Sequence, residues 1–305
     1  MRKIAIVAVL ILLMAGCGAG RTSGICGTLA PTLKGDAVAW AKQGSDAWAG
    51  RIDEKKLREA ISHWMKSLAA NPEQPKLRVR LARALYFLAD GYLRFQEEKS
   101  AEMMKTFESA TNQAEIALGQ LYPKYRSKYC GRRSYADQIA TLDQKAGSAM
   151  YWYAASLGKY ALEKSIILVL NEKDRIKAMM DALYSWDRKF YYYAADRYLG
   201  AFYTKIPFPK GDLARSRAHF EASIKGAPQY LSTKVLFAKM NLVKAYSRAK
   251  TPAAKKAIRD LYKGLLDSVV SFDLKSAPKL IPENTIEQKK AKQMLDELDV
   301  DMPVD

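Results

Sequence analysis

Apolar side chains recur at every third or fourth position over most of the chain from residue 36 onward. Leu57, Ala60, Ile61, Trp64 and Leu68 form one such stripe, which stops at Asn71-Pro72. Leu77, Leu81, Leu85 and Leu88 form the next and extend toward Leu93 and Phe95. Met103, Phe107, Ala110, Ala114, Ala117 and Leu118 follow and end before Pro123. Further on, Ala149, Tyr153, Leu157 and Tyr160 lead into Ile166 and Ile167, and then come Ile176, Met179, Met180 and Leu183. Recurrence at i, i+3 and i+4 buries one face of a helix against its neighbours. No stretch alternates apolar and polar residues over strand length, so the pattern predicts an all-α protein.

The predicted helices come in pairs whose second members share a form. Ser216-x3-Phe220-x2-Ser223-Ile224-x3-Pro228 is the clearest, preceded by Tyr198-Leu199-Gly200-x2-Tyr203. Ala60-x3-Trp64-x2-Ser67-Leu68-x3-Pro72 repeats it, and Ala182-Leu183-x2-Trp186-Asp187 is a weaker echo. Small residues let two helices approach, the aromatic fills the groove between them, and proline stops the second helix. This grammar resembles the tetratricopeptide repeat. The landmarks Pro72, Pro123, Asp187 and Pro228 stand 51, 64 and 41 residues apart, so the units are irregular. About ten to twelve helices wound into one compact superhelix are expected, rather than an open regular array.

The N-terminus sets the compartment. Arg2 and Lys3 precede an apolar run, Ile4 to Met14, too short to span a bilayer and suited to a secretory signal. Its end, Leu13-Met14-Ala15-Gly16-Cys17, resembles a bacterial lipobox with Met14 where Leu is usual. That resemblance implies a signal peptide over 1–16 and acylation of Cys17 as the mature N-terminus. A flexible tether would cover 17–35 and the helical domain 36–305. Gly18 rather than Asp follows the cysteine, which favours an outer over an inner membrane. Cys26 and Cys130 are then the remaining thiols. A bond between them would contribute about 4–5 kcal/mol in the chain-entropy model, and two separate buried thiols are an equal alternative.

Composition narrows the chemistry. Fifty Lys and Arg against 32 Asp and Glu give a net charge of +18, and the excess belongs to the body because the leader holds only Arg2 and Lys3. Outside the cytoplasm, nucleic acid is not the expected partner. Anionic headgroups, an acidic protein or plain solvation remain as readings. With two His, three Cys and no metalloprotease, nucleophile-elbow or phosphate-loop motif, neither an enzyme nor a cofactor or metal is expected. His63 and His219 sit beside the packing residues Trp64 and Phe220 and read as structural.

The density of aromatics is the most informative chemical feature of the chain. Tyr151-Trp152-Tyr153, Tyr160, Tyr184, Trp186, Phe190-Tyr191-Tyr192-Tyr193, Tyr198 and Phe202-Tyr203 crowd into the middle of the chain. Four consecutive rings cannot all face one helical stripe at 100° per residue, so some of Phe190 to Tyr193 must meet a second surface. That surface is a neighbouring helix, a binding groove or an internal cavity. Trp152, Tyr153, Trp186, Tyr191, Tyr192, Tyr193 and Tyr203 are the candidate lining, with Lys159 and Arg197 as the candidate polar groups.

Tyr151-Trp152-Tyr153-Ala154-Ala155-Ser156-Leu157-Gly158-Lys159-Tyr160 and the block from Tyr193 to Ile224 resemble the TatT family, lipoprotein components associated with TRAP transporters. The second block carries Arg197-Tyr198-Leu199-Gly200-Ala201-Phe202-Tyr203, Ile206-Pro207, Gly211-Asp212 and His219-Phe220-Glu221-Ala222-Ser223-Ile224 in the family's order. Pro282-Glu283-Asn284, Gln288, Ala291 and Met294-Leu295 resemble its C-terminal end, while Ser216 and Ser223 replace the usual Ala. The resemblance implies a lipid-anchored periplasmic accessory that docks a TRAP-type solute-binding protein. It also implies an aromatic cavity or pore offered to a small hydrophobic or amphipathic ligand. A general envelope scaffold holding a protein assembly is the alternative, and the sequence leaves self-association open.

Overall fold

The structure is a computed structural model and describes residues 23–207 and 211–303. Among the described residues every regular element is helical. The helices are α1 (Ala37–Ala49), α2 (Glu54–Ala70), α3 (Pro75–Gly91), α4 (Ser100–Leu121), α5 (Pro123–Cys130), α6 (Tyr135–Ile139), α7 (Gly147–Lys164) and α8 (Ile166–Trp186). They continue with α9 (Phe190–Lys205), α10 (Leu213–Gly226), α11 (Ser232–Phe237), α12 (Val243–Arg248), α13 (Pro252–Val270), α14 (Ile281–Asp296) and α15 (Leu298–Asp301). A π-helical turn, Ala238–Leu242, joins α11 and α12 into one rod. With that rod counted once and the short α6 and α15 set aside, twelve α-helices remain among the described residues, in keeping with the expected number.

Local chemistry sets the boundaries. Asp36 and Asp53 accept hydrogen bonds from the first free N–H groups of α1 and α2. Proline occupies the first turn of α3, α5, α13 and α14, where its missing N–H costs no helical bond. The sequence reads Tyr160 as leading into Ile166; in the structure the extended backbone of Ser165 breaks the run, and its hydroxyl caps α8 by accepting from Leu168 N–H.

The paired packing follows the expected grammar. In α1–α2, Gly44 lies so close to Trp64 that a Cβ there would come within 2.4 Å of the indole, whose N–H donates to Ala41. In α9–α10, Gly200 faces Phe220 in the same way, at 2.8 Å. The two serines that stand in place of the usual alanine both form tertiary hydrogen bonds. Ser216 Oγ donates to Gly200 O at 2.7 Å and accepts from Asn241, inside the π turn. Ser223 Oγ donates to Tyr193 O.

Cys26 and Cys130 form a disulfide, closing the alternative left open by the sequence. Within the segment read as a flexible tether, contacts to the body are made around residues 25–27 and 32–33, and most of 28–35 is exposed. Ile25 is buried in the core, Arg126 donates to the carbonyls of Ile25 and Gly27, and Thr32 N–H donates to Ala69. The leader and Cys17 lie outside the described residues. No helix among the described residues is long and apolar enough to cross a membrane.

The chain winds so that its last long helix returns to its first pairs. From α14, Glu283 pairs with Arg51 at 3.0 Å and with Arg83 at 2.8 Å, and Lys290 pairs with Asp90 at 2.6 Å. These bonds, bridging about 200 residues of sequence, close the superhelix around a hollow.

Candidate functional site

The hollow is a cavity of about 570 Å³ between α3, α7, α9, the α11–α12 rod and α14. One wall is aromatic. Trp152 and Tyr151 on α7 meet Tyr191, with ring centroids 5.3 Å apart for Trp152–Tyr191 and 5.1 Å for Tyr151–Tyr191, and Tyr86 on α3 packs on Trp152 at 5.5 Å. The guanidinium of Arg83 lies over Trp152 and Tyr191 at 5.9 and 5.6 Å.

Tyr191 reaches this wall through an unusual backbone. Tyr191, Tyr192 and Tyr193 have φ of 42°, 60° and 57°, a left-handed turn of three non-glycine residues before the regular part of α9. Such a conformation costs about 1–2 kcal/mol per residue. Arg197, one turn further along, holds it: its guanidinium donates to Tyr192 O at 2.9 Å and Tyr191 O at 3.4 Å, and to the Tyr151 hydroxyl at 3.1 Å. The left-handed turn also answers how four consecutive rings are accommodated. Tyr191 enters the cavity, Tyr192 stacks on Tyr230 at 4.7 Å, and Tyr193 packs against Gly226.

The opposite wall is charged. Asp90 accepts from Lys159 at 2.7 Å, Arg94 at 2.7 Å and Lys290 at 2.6 Å, and Lys290 also pairs with Glu287 at 2.8 Å. Burial alone would raise the Asp90 carboxyl, but Lys159, Lys290 and Arg94 together hold it well below the usual carboxylate range. Lys239, in the π turn, lines the cavity and makes no hydrogen bond or ion pair among the described residues. It is solvent-accessible yet hemmed in by protein. That confinement, and then the charges of Arg94 and Lys159, lower its amine to about 8.

An apolar annex of about 110 Å³ shares Tyr86, Tyr151, Lys159 and Arg197 with the main cavity and continues between Ala155, Val169, Ile176, Ala201, Phe202 and Ile206. A wide, open hollow on another side is lined by Tyr192, Tyr193, Gly226 and Lys279. Arg83 and Tyr191 stand between it and the cavity, lining both.

Of the side chains singled out in the sequence, Trp152, Lys159, Tyr191 and Arg197 come together in the cavity, and Tyr192 and Tyr193 line the outer hollow. Three lie elsewhere. Tyr153 is one residue, hence 100°, around α7 from Trp152; it is wholly buried and accepts from Arg175. Trp186 ends α8, half-buried against the core. Tyr203 is too far along α9 and stacks on His219 at 5.7 Å. The sequence reading overlooked Arg83, Tyr86, Asp90, Tyr230, Lys239, Glu283, Glu287 and Lys290. One signal was present: Glu283, Ile286, Glu287, Lys290 and Met294 keep helical spacing with charges inside the inward stripe. No group of three or more His, Cys, Asp or Glu is placed to hold a metal among the described residues.

Helix pairs closed around a cavity with one aromatic and one ionic wall define an all-α scaffold with a hollow interior. The family described as the TRAP transporter T-component (TAtT) matches residues 68–300, and the chain belongs to that family. No curated protein matches the chain. Membership makes it a component of a transport system, in an accessory role, and the family is not a class of enzyme.

Proposed function

We infer that the protein is a lipid-anchored accessory of a TRAP-type uptake system. Cys17 carries the lipid, the helical body stands in the periplasm on the outer membrane, and its surface docks the solute-binding protein of the same system. The cavity receives the small ligand that this partner carries. The observation that supports this reading most directly is the enclosed hollow itself. A chain of the T-component family places Trp152, Tyr191 and Arg197 around a space of about 570 Å³, and two of these groups also border an annex or outer hollow. A scaffold that served only to hold other proteins together would have no use for an interior of that kind.

The test is affinity capture from the native envelope with the full-length, lipidated protein as bait. Recovery of a periplasmic solute-binding protein is expected. Recovery of an envelope-assembly complex without one would instead identify a general scaffold. The anchor is checked in the same strain, where Cys17→Ser should move the protein from the membrane to the soluble fraction.

A further inference from the structure

Part of the positive charge of the body is concentrated in one short segment. Between Pro123 and Ala136 the sequence holds five cations, Lys124, Arg126, Lys128, Arg132 and Arg133, and no carboxylate. They lie on α5 and the turn that follows it, and all five are exposed. Arg126 donates to the carbonyls of Ile25 and Gly27, while the side chains of the other four meet no acceptor or carboxylate among the described residues. The carboxylates around them are already engaged. Asp137 accepts from the Ser134 hydroxyl and Asp143 from the Tyr122 hydroxyl. On α8, which packs against α6, Glu172, Asp174 and Asp181 each pair with a cation of their own helix.

The chain coming from the N-terminus is fastened at this same place. Ser23 donates to Glu115 on α4, Ile25 is buried in the core, and Cys26 is bonded to Cys130 at the end of α5. Cys17 precedes Ser23 by six residues, a span of about 20 Å at full extension. An acyl group on Cys17 therefore keeps α5 close to the membrane, where even a weak attraction acts as an intramolecular contact.

We propose that α5 and the turn through Arg133 form a docking surface for the anionic lipid headgroups of the membrane that holds the anchor, with Lys124, Lys128, Arg132 and Arg133 meeting the phosphates. The potential of an anionic bilayer falls off within a Debye length, about 8 Å at physiological salt, so only a surface brought close to the bilayer feels it. The lipid and the four cations act at one end of the body. Together they fix its orientation, whereas a lipid on its tether alone would fix only its distance from the bilayer. The proposal rests on the lipid anchor inferred above and adds an electrostatic contact to it.

Vesicle sedimentation of the mature chain carrying Cys17→Ser, which bears no lipid, isolates that contact. Binding is expected to phosphatidylcholine vesicles containing about 30% phosphatidylglycerol, not to phosphatidylcholine alone, and should be lost at about 0.5 M salt. Each cation near such a surface contributes about fivefold in affinity, so Lys124→Gln, Lys128→Gln, Arg132→Gln and Arg133→Gln together should weaken binding about a hundredfold or more. The melting temperature should not change, because these side chains make no structural contacts. Lys250→Gln, Lys256→Gln, Lys263→Gln and Lys275→Gln, on and beside α13, remove the same net charge and should weaken binding less than about fivefold. Equal losses in the two quadruple variants, or equal binding to the two kinds of vesicle, would overturn the proposal. So would binding to neither vesicle when an acidic protein is captured by the native chain and lost by the α5 variant, which would assign the face to a protein. Fractionation of the native strain reads the anchor separately. A soluble native chain whose vesicle binding is intact would remove the lipid and keep the surface. A membrane-bound native chain whose unlipidated form ignores anionic vesicles would keep the lipid and remove the surface.

Discussion

Lys239 carries a consequence that can be checked without any ligand. Its amine is lowered to about 8, first by confinement and then by Arg94 and Lys159, so it is charged at pH 7 and largely neutral by pH 9. The sign matters. A lowered lysine pKa yields free amine at a lower pH than the other lysines do, so Lys239 should react with a small amine-directed reagent sooner than the other solvent-accessible lysines at pH 8. The rate, followed by mass spectrometry, should rise with a midpoint near that value. A midpoint near 10, shared with the surface lysines, would contradict the geometry of the π turn. Arg197 was legible as a candidate and Lys239 was not. Arg197 sits in a block of aromatics whose crowding demanded a second surface, whereas Lys239 looks like any lysine on a helix until the π turn aims it inward.

At the scale of elements, the small-large-small grammar specifies which helices pair, and it can be tested through its glycines. Gly200 lies within 2.8 Å, measured from an added Cβ, of the buried Phe220 ring, whereas Gly264 on α13 has nothing within 4 Å. Gly200→Ala should therefore destabilise the protein by about 1–3 kcal/mol through overpacking. Gly264→Ala should stabilise it by about 0.5–1 kcal/mol through backbone entropy and helix propensity. Urea denaturation of the two variants reads both signs, and stabilisation by both would show that the α9–α10 contact is looser than described. The pairing α1–α2 and α9–α10 was readable because each rests on a local motif and a partner helix next to it in sequence. The left-handed turn at Tyr191–Tyr193 was not readable. Four aromatics in a row signal a conflict with helical periodicity, but its resolution depends on Arg197, Tyr230 and Gly226 being in place.

Over the whole molecule, two kinds of link hold distant parts of the chain together. The Cys26–Cys130 disulfide ties the segment before α1 to the end of α5 across a sequence separation of 104 residues. Cys26→Ser should lower stability by about 4–5 kcal/mol in the chain-entropy model, read as a fall in the urea midpoint. The same fall should appear in the native protein under reducing conditions, and no further fall in the reduced variant. The other link is ionic, from Glu283 and Lys290 on α14 to Arg51, Arg83 and Asp90. These charges could be seen to lie on an inward helical stripe, but their partners belong to helices nearly the full chain away, and one sequence holds no record of such pairings.

The sequence by itself determined what local rules govern. Helical periodicity, capping aspartates and proline stops gave the all-α fold, and the alternation of small and aromatic residues gave the irregular pairing, because each of these acts within a few residues or between adjacent helices. Tertiary structure decided which of the many aromatics and cations face a common space. Neighbouring residues on α7 diverge by 100°, so Trp152 joins the cavity and Tyr153 the core, and only the closure of α14 onto α3 turns scattered charges into one wall.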